Sequence, residues 1–267
     1  MISIIVPYKN AERWIGRCVA SLMAQDREAE FILVNDDSTD DGMDIVMGLT
    51  LSDDRFVLLE NERGPGPSGA RNTGLDYASG DWITFADADD EMEPNALRIF
   101  EELIAEVPAN IYMTNHHRYY AKIDKLALKY TNEEGWYGLE NLPTMWCMVW
   151  NKLYSRQLLC DDHMIRFDES MKYGEDEIFN LECLAVDNRI YHAASDVTTL
   201  TRHFDNRQSL CHSKTEEDLF MQAEALARFI KRHDDPLVRK AACLLLSEHW
   251  SSKTYLTLVA GEASPHF

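Results

Sequence analysis

Short apolar runs alternate with helical segments through the first hundred residues of the chain, and this alternation restricts the fold more than any other feature. Four runs are rich in the aliphatic, β-branched and aromatic residues typical of buried strands: Ile2–Val6, Phe31–Val34, Phe56–Leu59 and Trp82–Ala86. Strands joined by helical crossovers pair in parallel and place helices on both faces of the sheet. The sequence therefore predicts an α/β fold with a Rossmann-like, mostly parallel sheet.

Cap and breaker residues indicate where several of these elements begin and end. Pro7 is expected to end the first strand, and Asn10 to cap a helix that runs to about Gln25. Pro94 suits the first position of a helix over residues 95–105. Connections this short leave polar residues close to the strand ends.

Three aspartates within four positions follow the strand Trp82–Ala86. Open α/β sheets bind ligands beyond the carboxyl ends of their strands, so these side chains are expected at a ligand-binding edge. Asp87 and Asp89 are separated by one residue, so both carboxylates can approach one hard cation, which takes oxygen ligands. Taken alone, the motif fits a solvated acidic turn that caps the next helix about as well.

Three more polar clusters follow strand ends or open helices. Residues Asn35–Asp40 come directly after a strand, where a carboxylate can accept a hydrogen bond from a ligand, although an Asx-rich turn is the simpler interpretation. Residues Gly66–Gly74 open a helix and include Arg71, a suitable setting for a diphosphate. Glu175 and Asp176 open another helix, either as a general base or only as partners of the helix dipole. Since adjacent helical residues point about 100° apart, only one of the two is expected to point into a given site.

The formal charge of −20 limits the classes of partner. So negative a chain is unsuited to binding along a nucleic-acid backbone or to docking on anionic lipid through a basic patch. The six cysteines form no Cys-x-x-Cys pair, which favours reduced thiols over a zinc site or a disulfide framework. Without a signal-peptide pattern or a membrane-spanning apolar run, the sequence predicts a soluble cytoplasmic protein.

A series of motifs, in this order along the chain, resembles the inverting nucleotide-sugar glycosyltransferases of family 2, which have the GT-A fold. The resemblance covers roughly residues 2–210 and is carried by Ile4–Pro7 with Asn10–Glu12, Val34–Asp36 with Ser38–Asp40, Ser68–Gly74, Gly80–Ile83, Phe85–Asp90, Trp150–Tyr154, Arg166–Asp168 and Gly174–Asp176 with Phe179. It implies a GT-A domain over 1–212, followed by a helical C-terminal extension over 213–267.

The resemblance implies a donor site for a nucleotide-sugar, most often a UDP-sugar. Asp36 would hold the nucleotide base, with Pro7 at the floor of that pocket, and Arg71 would lie near the diphosphate. Asp87 and Asp89 would form the family's Asp-x-Asp motif. Asp89 is the expected direct ligand of Mn²⁺ or Mg²⁺, and Asp87 is expected to face both the ribose and the metal.

The resemblance also implies the catalytic residues. Asp176 resembles the catalytic base, and Glu175 would contact the acceptor or the donor sugar. His203 is the candidate that completes the metal shell, with His212 nearby as a second choice, while Asp90 is expected to be structural.

Three further features leave their roles open. Asp37 stands where the family has a small residue, which adds negative charge beside the site of an anionic donor. Trp146 and Trp150 fit core packing better than stacking on a sugar. Lys152 is a candidate contact for a phosphate or for an anionic group of the acceptor.

The implied function is metal-dependent, inverting transfer of a sugar to a hydroxyl of a glycan or lipid-linked acceptor, as in bacterial surface polysaccharide synthesis. Charge also predicts the metal, because Asp87, Asp89 and a diphosphate would otherwise repel one another. The alternative is a catalytically silent module that binds a nucleotide-sugar or a glycan on the same fold.

Beyond about Thr215 the sequence predicts two amphipathic helices that break at Asp235-Pro236. The apolar stripe of the first contains Phe220, Ala223, Leu226 and Ile230. Packing against the GT-A domain is the ordinary interpretation of these helices. A homodimer contact and peripheral association with the inner face of the membrane are the alternatives.

Overall fold

The computed structural model describes residues 1–120, 124–129, 133–142, 147–194, 197–203 and 215–249 of the chain. Its strands, in chain order, are β1 (Ile2–Tyr8), β2 (Ala29–Asn35), β3 (Phe56–Glu60), β4 (Trp82–Phe85), β5 (Glu91–Met92), β6 (Ile111–Met113), β7 (Asn115–Tyr120), β8 (Lys125–Lys129), β9 (Gly135–Tyr137), β10 (Lys152–Ser155), β11 (Ile190–His192) and β12 (Thr198–His203). Its helices are α1 (Ile15–Met23), α2 (Gly42–Thr50), α3 (Pro67–Tyr77), α4 (Ala96–Glu106), α5 (Glu175–Val186), α6 (Glu216–Arg232) and α7 (Pro236–His249), with a short π-helical segment over Gln157–Asp161.

The large sheet has the strand order β3-β2-β1-β4-β10-β6-β11-β9. β1 pairs in parallel with both β2 and β4, and β2 pairs in parallel with β3. β10 runs antiparallel between β4 and β6, whereas β6 and β11 are parallel. The predicted α/β fold is confirmed, and its run of parallel strands comes from the first half of the chain.

Both faces of this sheet are buried, as its continuous apolar runs predict. Ile4 and Val6 of β1 belong to a core cluster with residues of α1, α2 and α4. Ile5, which lies between them, belongs to the cluster that includes residues of α3, α5, α6 and α7. Because successive strand residues point to opposite sides, the two clusters lie on opposite faces and helices cover both.

A second, smaller sheet has the order β5-β12-β7-β8 and is not predicted by the sequence. β12 pairs antiparallel with β5, with Thr201 opposite Glu91, and parallel with β7. β5 begins directly after Asp90, so this sheet holds the chain just beyond the three aspartates that follow β4.

Three local predictions at element ends are wrong. Asn10 has a positive φ of 49° and does not cap α1; its Oδ1 accepts a hydrogen bond of 2.8 Å from the Thr39 amide, which ties two loops together. β1 continues through Pro7 to Tyr8; β4 pairs with β1 only as far as Ile5, so Pro7 removes no ladder bond on that side. Pro94 precedes the cap of α4 instead of occupying its first turn.

The two predicted C-terminal helices form on either side of the break at Asp235-Pro236. They pack against α5, and apolar residues of both belong to the core cluster that contains Ile5. Packing within the chain therefore occurs as the ordinary interpretation predicted, except that Phe220 is 45% exposed. The predicted boundary at 212/213 lies outside the described residues. Within the described part of the chain, no helix is both long and apolar enough to cross a bilayer.

Candidate active site

The parallel strands β1, β2 and β4 end at one edge of the sheet, and α3 begins there. Asp36 follows β2 and Asp87 follows β4, so the strands bring these two carboxylates to the same edge. The cap of α3, Gly66, donates its N–H to Asp36 Oδ2 at 3.0 Å, and Arg71 of the same helix reaches Asp87. α3 thus connects the two predicted nucleotide contacts.

The close approach of two backbone segments explains the small residues at the start of α3. A Cβ on Gly69 would lie 1.7 Å from the carbonyl oxygen of Gly64. Gly66 has φ 106°, a conformation that favours glycine. The run of small residues is therefore required by the way this loop packs against its own helix.

Arg71 joins carboxylates from two distant parts of the chain. Its side chain is 5% exposed, with Nη1 at 2.8 Å from Glu175 Oε1 and 3.1 Å from Asp176 Oδ1. Its Nη2 lies 3.3 Å from Asp87 Oδ1. Burial lowers the pKa of the guanidinium, but the three carboxylates outweigh burial and hold its pKa above the usual value.

The prediction that only one of Glu175 and Asp176 points into the site is wrong. Both contact the same nitrogen of Arg71, because the longer glutamate side chain reaches it in spite of diverging Cα–Cβ directions. The helix starts sharply at Gly174, which has φ 74° and caps α5 in the left-handed conformation. The first two acidic residues of α5 are therefore directed at Arg71, whereas the third, Glu177, accepts from Gln222 Nε2 at 2.8 Å.

The surroundings of Asp176 shift the pKa of its carboxyl toward neutrality. Burial raises the pKa of Asp176 to about 7, Arg71 opposes that rise, and Glu175 adds to it by repulsion. Asn180, one helical turn further on, donates to the backbone carbonyl of Asp176 at 2.8 Å and accepts from the Tyr154 hydroxyl at 2.8 Å. Residues of β10 and α5 therefore fix the backbone at Asp176.

The turn after β4 gathers three carboxylates. One oxygen from each of Asp87, Asp89 and Asp90 lies within 4.8 Å of the others. This set of hard oxygen donors fits Mn²⁺ or Mg²⁺.

Asp90 is 1% exposed and accepts from Arg202 Nε and from the His203 amide, both at 2.9 Å. Burial and its two acidic neighbours raise the pKa of Asp90 well above its usual value, against the effect of Arg202. The structure thus gives Asp90 the structural contacts that were predicted.

Arg202 is the site residue that sequence reasoning missed. Its Nη2 lies 3.5 Å from Asp87 Oδ2, opposite the oxygen that faces Arg71, and its guanidinium lies 4.5 Å from the ring of Trp150. Trp150 is 3% exposed and therefore packs in the core beneath this arginine. An arginine directly after the strand-like run Val197–Thr201 was the available signal, but its carboxylate partners lie more than a hundred positions earlier.

Two predicted site residues do not join the cluster. The His203 ring has its Nε2 at 2.6 Å from Glu91 Oε1 and packs against Tyr119 instead of turning toward the three aspartates. His212 lies outside the described residues.

Lys152 is fully buried and donates to Asn151 Oδ1 and to the Met148 carbonyl, so it does not reach an external anion. Burial lowers the pKa of Lys152 to about 7.

Asp36, the predicted contact of the nucleotide base, is a buried carboxylate with three hydrogen-bond donors around it. Asp36 accepts from Asn61 Nδ2 at 2.7 Å, from the Gly66 amide at 3.0 Å and from Lys9 Nζ at 3.3 Å. Pro7 lies in β1, opposite Val34 of β2 and close to this strand end. Asp37 is exposed, with a positive φ of 57°.

Solved structures of known enzymes share this fold. S. aureus TarS 1–349 in complex with UDP aligns with a TM-score of 0.76 at 24% identity, over 96% of this chain and 74% of that one. The mannosyltransferase PcManGT from Pyrobaculum calidifontis, in complex with GDP-Man and Mn²⁺, aligns with a TM-score of 0.65 at 16% identity, over 100% and 76% of the two chains. Identities this low show a common fold.

Two relatives align with this chain over only part of their own length. Glycosyltransferase GlyA of Streptococcus pneumoniae is 29% identical over 210 residues, which is 72% of this chain and 29% of the relative. Glycosyltransferase EpsJ of Bacillus subtilis is 30% identical over 204 residues, 71% of this chain and 58% of the relative. The chain thus spans less than two thirds of the length of either relative.

The sequence profile described as Glycosyl transferase family 2 matches residues 3–170, which contain β1 to β4, the three aspartates after β4 and Arg71. The match covers more than half of the chain. With the fold of TarS and the strand-end carboxylates described above, it establishes that the chain belongs to glycosyltransferase family 2 and has the GT-A fold.

Proposed function

We propose that the chain transfers a sugar from a UDP-sugar to a hydroxyl of a glycan or lipid-linked acceptor, with inversion at the anomeric carbon. The observation that carries this proposal is the Arg71 cluster, in which one buried guanidinium joins Asp176 to Asp87 at the ligand-binding edge of the sheet. The proposed proton acceptor, Asp176, and a proposed cation ligand, Asp87, thus contact the same arginine side chain.

The proposed donor site lies along the start of α3. Asp36 accepts a hydrogen bond from the nucleotide base, beside Pro7, and the diphosphate lies near Asp87. Arg71 and Arg202 flank the two oxygens of Asp87, so they supply positive charge for an anionic donor in a chain with a formal charge of −20. A divalent cation held by Asp87 and Asp89 would neutralise the diphosphate and stabilise the leaving nucleoside diphosphate.

Asp176 is the proposed general base. Its carboxylate takes the proton of the acceptor hydroxyl while the hydroxyl oxygen attacks the anomeric carbon, and the bond from that carbon to the diphosphate oxygen breaks on the opposite face. A single displacement of this kind inverts the configuration. A pKa of about 7 suits the role, because about half of the carboxylate is then ionised at neutral pH and it is more basic than an ordinary aspartate. Glu175, held by the same Arg71 nitrogen, is proposed to contact a sugar.

The names of two relatives support the proposed acceptor class. WfgD of Escherichia coli, 41% identical over 99 residues (37% of this chain and 39% of the relative), is named as a glucosyltransferase that uses UDP-Glc and a diphosphoundecaprenol-linked sugar. A Campylobacter jejuni relative, 35% identical over 113 residues, is also named as a glucosyltransferase acting on an undecaprenol-linked glycan. We therefore propose a role in bacterial surface polysaccharide synthesis, at the inner face of the membrane.

Binding of UDP with Mn²⁺ tests the donor site. We expect UDP plus Mn²⁺ to raise the melting temperature of the protein and to bind in calorimetry, and Asp89→Asn to lose most of this effect. Asp26→Asn is the matched control, because Asp26 is an exposed aspartate paired only at the surface with Arg27. If UDP with Mn²⁺ neither stabilises nor binds the wild-type protein, the proposed donor site is wrong.

A screen of UDP-sugars for slow hydrolysis identifies the donor. The active sugar is then offered with short glycan acceptors, and the anomeric configuration of the product is determined by NMR. We expect inverted configuration in the product. A protein that binds UDP but catalyses neither hydrolysis nor transfer with any UDP-sugar would match the alternative of a silent binding module.

A further inference from the structure

A cavity of about 520 Å³ lies next to the turn after β4 that contains Asp87, Asp89 and Asp90, here called the acid turn, and has no part in the proposed reaction. It is formed by one face of α1, by β5 with the two residues after it, and by the ends of β7 and β12. Polar and aromatic residues of its wall are Arg17, Glu91, Glu93, Tyr119, Thr201 and His203.

β12 separates this cavity from the proposed active site. Successive residues of a strand point to opposite sides. Arg202 accordingly contacts Asp87 and Asp90, while its neighbours Thr201 and His203 line the cavity. The cavity therefore lies one strand away from the acid turn, on the side that Arg202 does not face.

Two carboxylates in the wall are fixed in place and keep acceptor capacity. Glu93 Oε1 accepts from the Thr201 hydroxyl at 2.5 Å and lies 2.8 Å from His117 Nδ1, while Glu91 Oε1 lies 2.6 Å from His203 Nε2. These contacts all use one oxygen of each glutamate. Neither Oε2 accepts a hydrogen bond from a residue in the described ranges. A carboxylate has about four acceptor positions, so each can still bind ligand hydroxyls.

The wall also has apolar positions and an aromatic ring. Ala20, Ala24 and Pro94 line it, together with Tyr119. The Tyr119 hydroxyl donates to Asp124 Oδ1 at 2.8 Å, and its ring packs edge-on against His203, with centroids 5.2 Å apart. An oriented ring beside fixed carboxylates offers one apolar surface and a few polar contacts, as small-molecule sites do.

We propose that this cavity binds a neutral saccharide unit of the acceptor, separate from the unit that receives the sugar. Sugar hydroxyls donate to the free oxygens of Glu91 and Glu93, and the C–H face of the ring packs on Tyr119. The two carboxylates, in a chain of charge −20, disfavour an anionic occupant. Among the described residues, the group suited to a metal ion is the aspartate cluster, and it lies outside this cavity.

The position of the cavity supports this assignment, which rests on the proposed function. Arg17 lines the cavity and donates through Nη2 to the backbone carbonyl of Asp89 at 2.7 Å. A saccharide bound here contacts the same side chain that holds the acid turn. The cavity and the turn that contains Asp87 and Asp89 therefore share the side chain of Arg17.

Saturation-transfer difference NMR tests the proposal on the full chain. The probes are cellobiose, lactose and N,N′-diacetylchitobiose, each titrated to obtain a Kd. We expect at least one probe to bind, and Tyr119→Ala and Glu93→Gln each to weaken it by about tenfold, as the loss of a packed ring or a charged acceptor does. Tyr77→Ala is the matched control, since Tyr77 is a half-exposed tyrosine at the opposite end of α3.

UDP with Mn²⁺ is titrated by calorimetry into the same samples, which separates this proposal from the proposed function. Saccharide binding that both variants weaken and the control retains supports the cavity assignment. If none of the probes binds, or if Tyr119→Ala and Glu93→Gln bind as wild type does, the cavity assignment is overturned, even where UDP binds normally. If UDP with Mn²⁺ does not bind the wild-type protein, the proposed donor site is wrong instead.

Discussion

Two acidic clusters meet at Arg71, and they are built in different ways. The turn after β4 places Asp87, Asp89 and Asp90 together because they are consecutive or nearly so along the chain. The first turn of α5 contributes Glu175 and Asp176, which lie more than a hundred residues away from Arg71 in sequence. The comparison teaches that a local motif supplies the candidate cation site, whereas long-range packing supplies the candidate base and sets its pKa.

The largest expected effect comes from removing the base on the α5 side. Asp176→Asn should lower kcat by about 10²–10⁴-fold and leave UDP binding unchanged, because the amide cannot accept the hydroxyl proton. The measurement is transfer rate against calorimetric UDP affinity. Glu182→Gln is the control, since Glu182 is on the same helix and pairs with Arg232 and His233. Retained turnover in the Asp176 variant would show that the two clusters do not divide the chemistry in this way.

Removing Arg71 should disrupt both clusters together. Arg71→Met leaves three carboxylates without their shared cation, and breaking a buried ion pair costs roughly 3–5 kcal/mol of unfolding free energy. Chemical denaturation measures the loss. Arg63→Met, which breaks half-exposed pairs to Asp76 and Glu169, should cost about 1 kcal/mol or less. Equal losses for the two variants would mean that Arg71 does not bind the clusters together.

The pH dependence of the transfer reaction tests whether the base that titrates lies in the α5 cluster. The base must be ionised, so kcat/KM should fall about tenfold per pH unit as the pH drops below about 7, the pKa of Asp176. The contribution of Asp176 to folding stability depends on pH in the opposite direction. The pKa is raised above its ordinary 3.8, so the contribution of Asp176 to stability is complete below pH 3.8 and is lost as the pH rises through about 7. An acidic limb near pH 4 would contradict the raised pKa of Asp176, because it is the limb expected of an unperturbed aspartate.

The smallest effect concerns the buried lysine behind the base. The charge of Lys152 lowers the pKa of Asp176, so Lys152→Met should move the acidic limb of kcat/KM to higher pH by less than about one unit. The pH–rate profile measures this shift. Lys240→Met, at an exposed position of α7, should leave the limb unchanged. A shift to lower pH in the Lys152 variant would contradict the electrostatic interpretation.

Much of the parallel half of the fold could be predicted from the sequence. The apolar runs of β1 to β4 are buried on both faces, so their pattern is continuous and easily read. The polar residues at their ends lie at one edge because parallel strands end together. The predictions failed where a contact across the chain decided the conformation, as at Asn10, which is held by Thr39 instead of capping α1.

The second sheet, Arg202 and the cavity behind β12 could not be predicted in this way. β5 has two residues, too few for any period to be read, and the arginine in β12 gives no sign of its partners. His203 is predicted as a metal ligand from its residue type, but strand alternation turns its ring away from the aspartates and toward Glu91. Side-chain direction depends on the strand pairing, which the sequence does not display.

The sequence alone determined the family resemblance, the parallel strands and the identity of the carboxylates at their ends, because these depend on local pattern and on the order of motifs. Tertiary structure decided which of those carboxylates contact the same arginine, and it set the pKa of Asp176. Arg71 meets Asp87, Glu175 and Asp176 because α3 and α5 pack around one strand edge. Burial there raises the pKa of Asp176, and burial is a property of the packed chain, since it depends on every element that excludes water from the site.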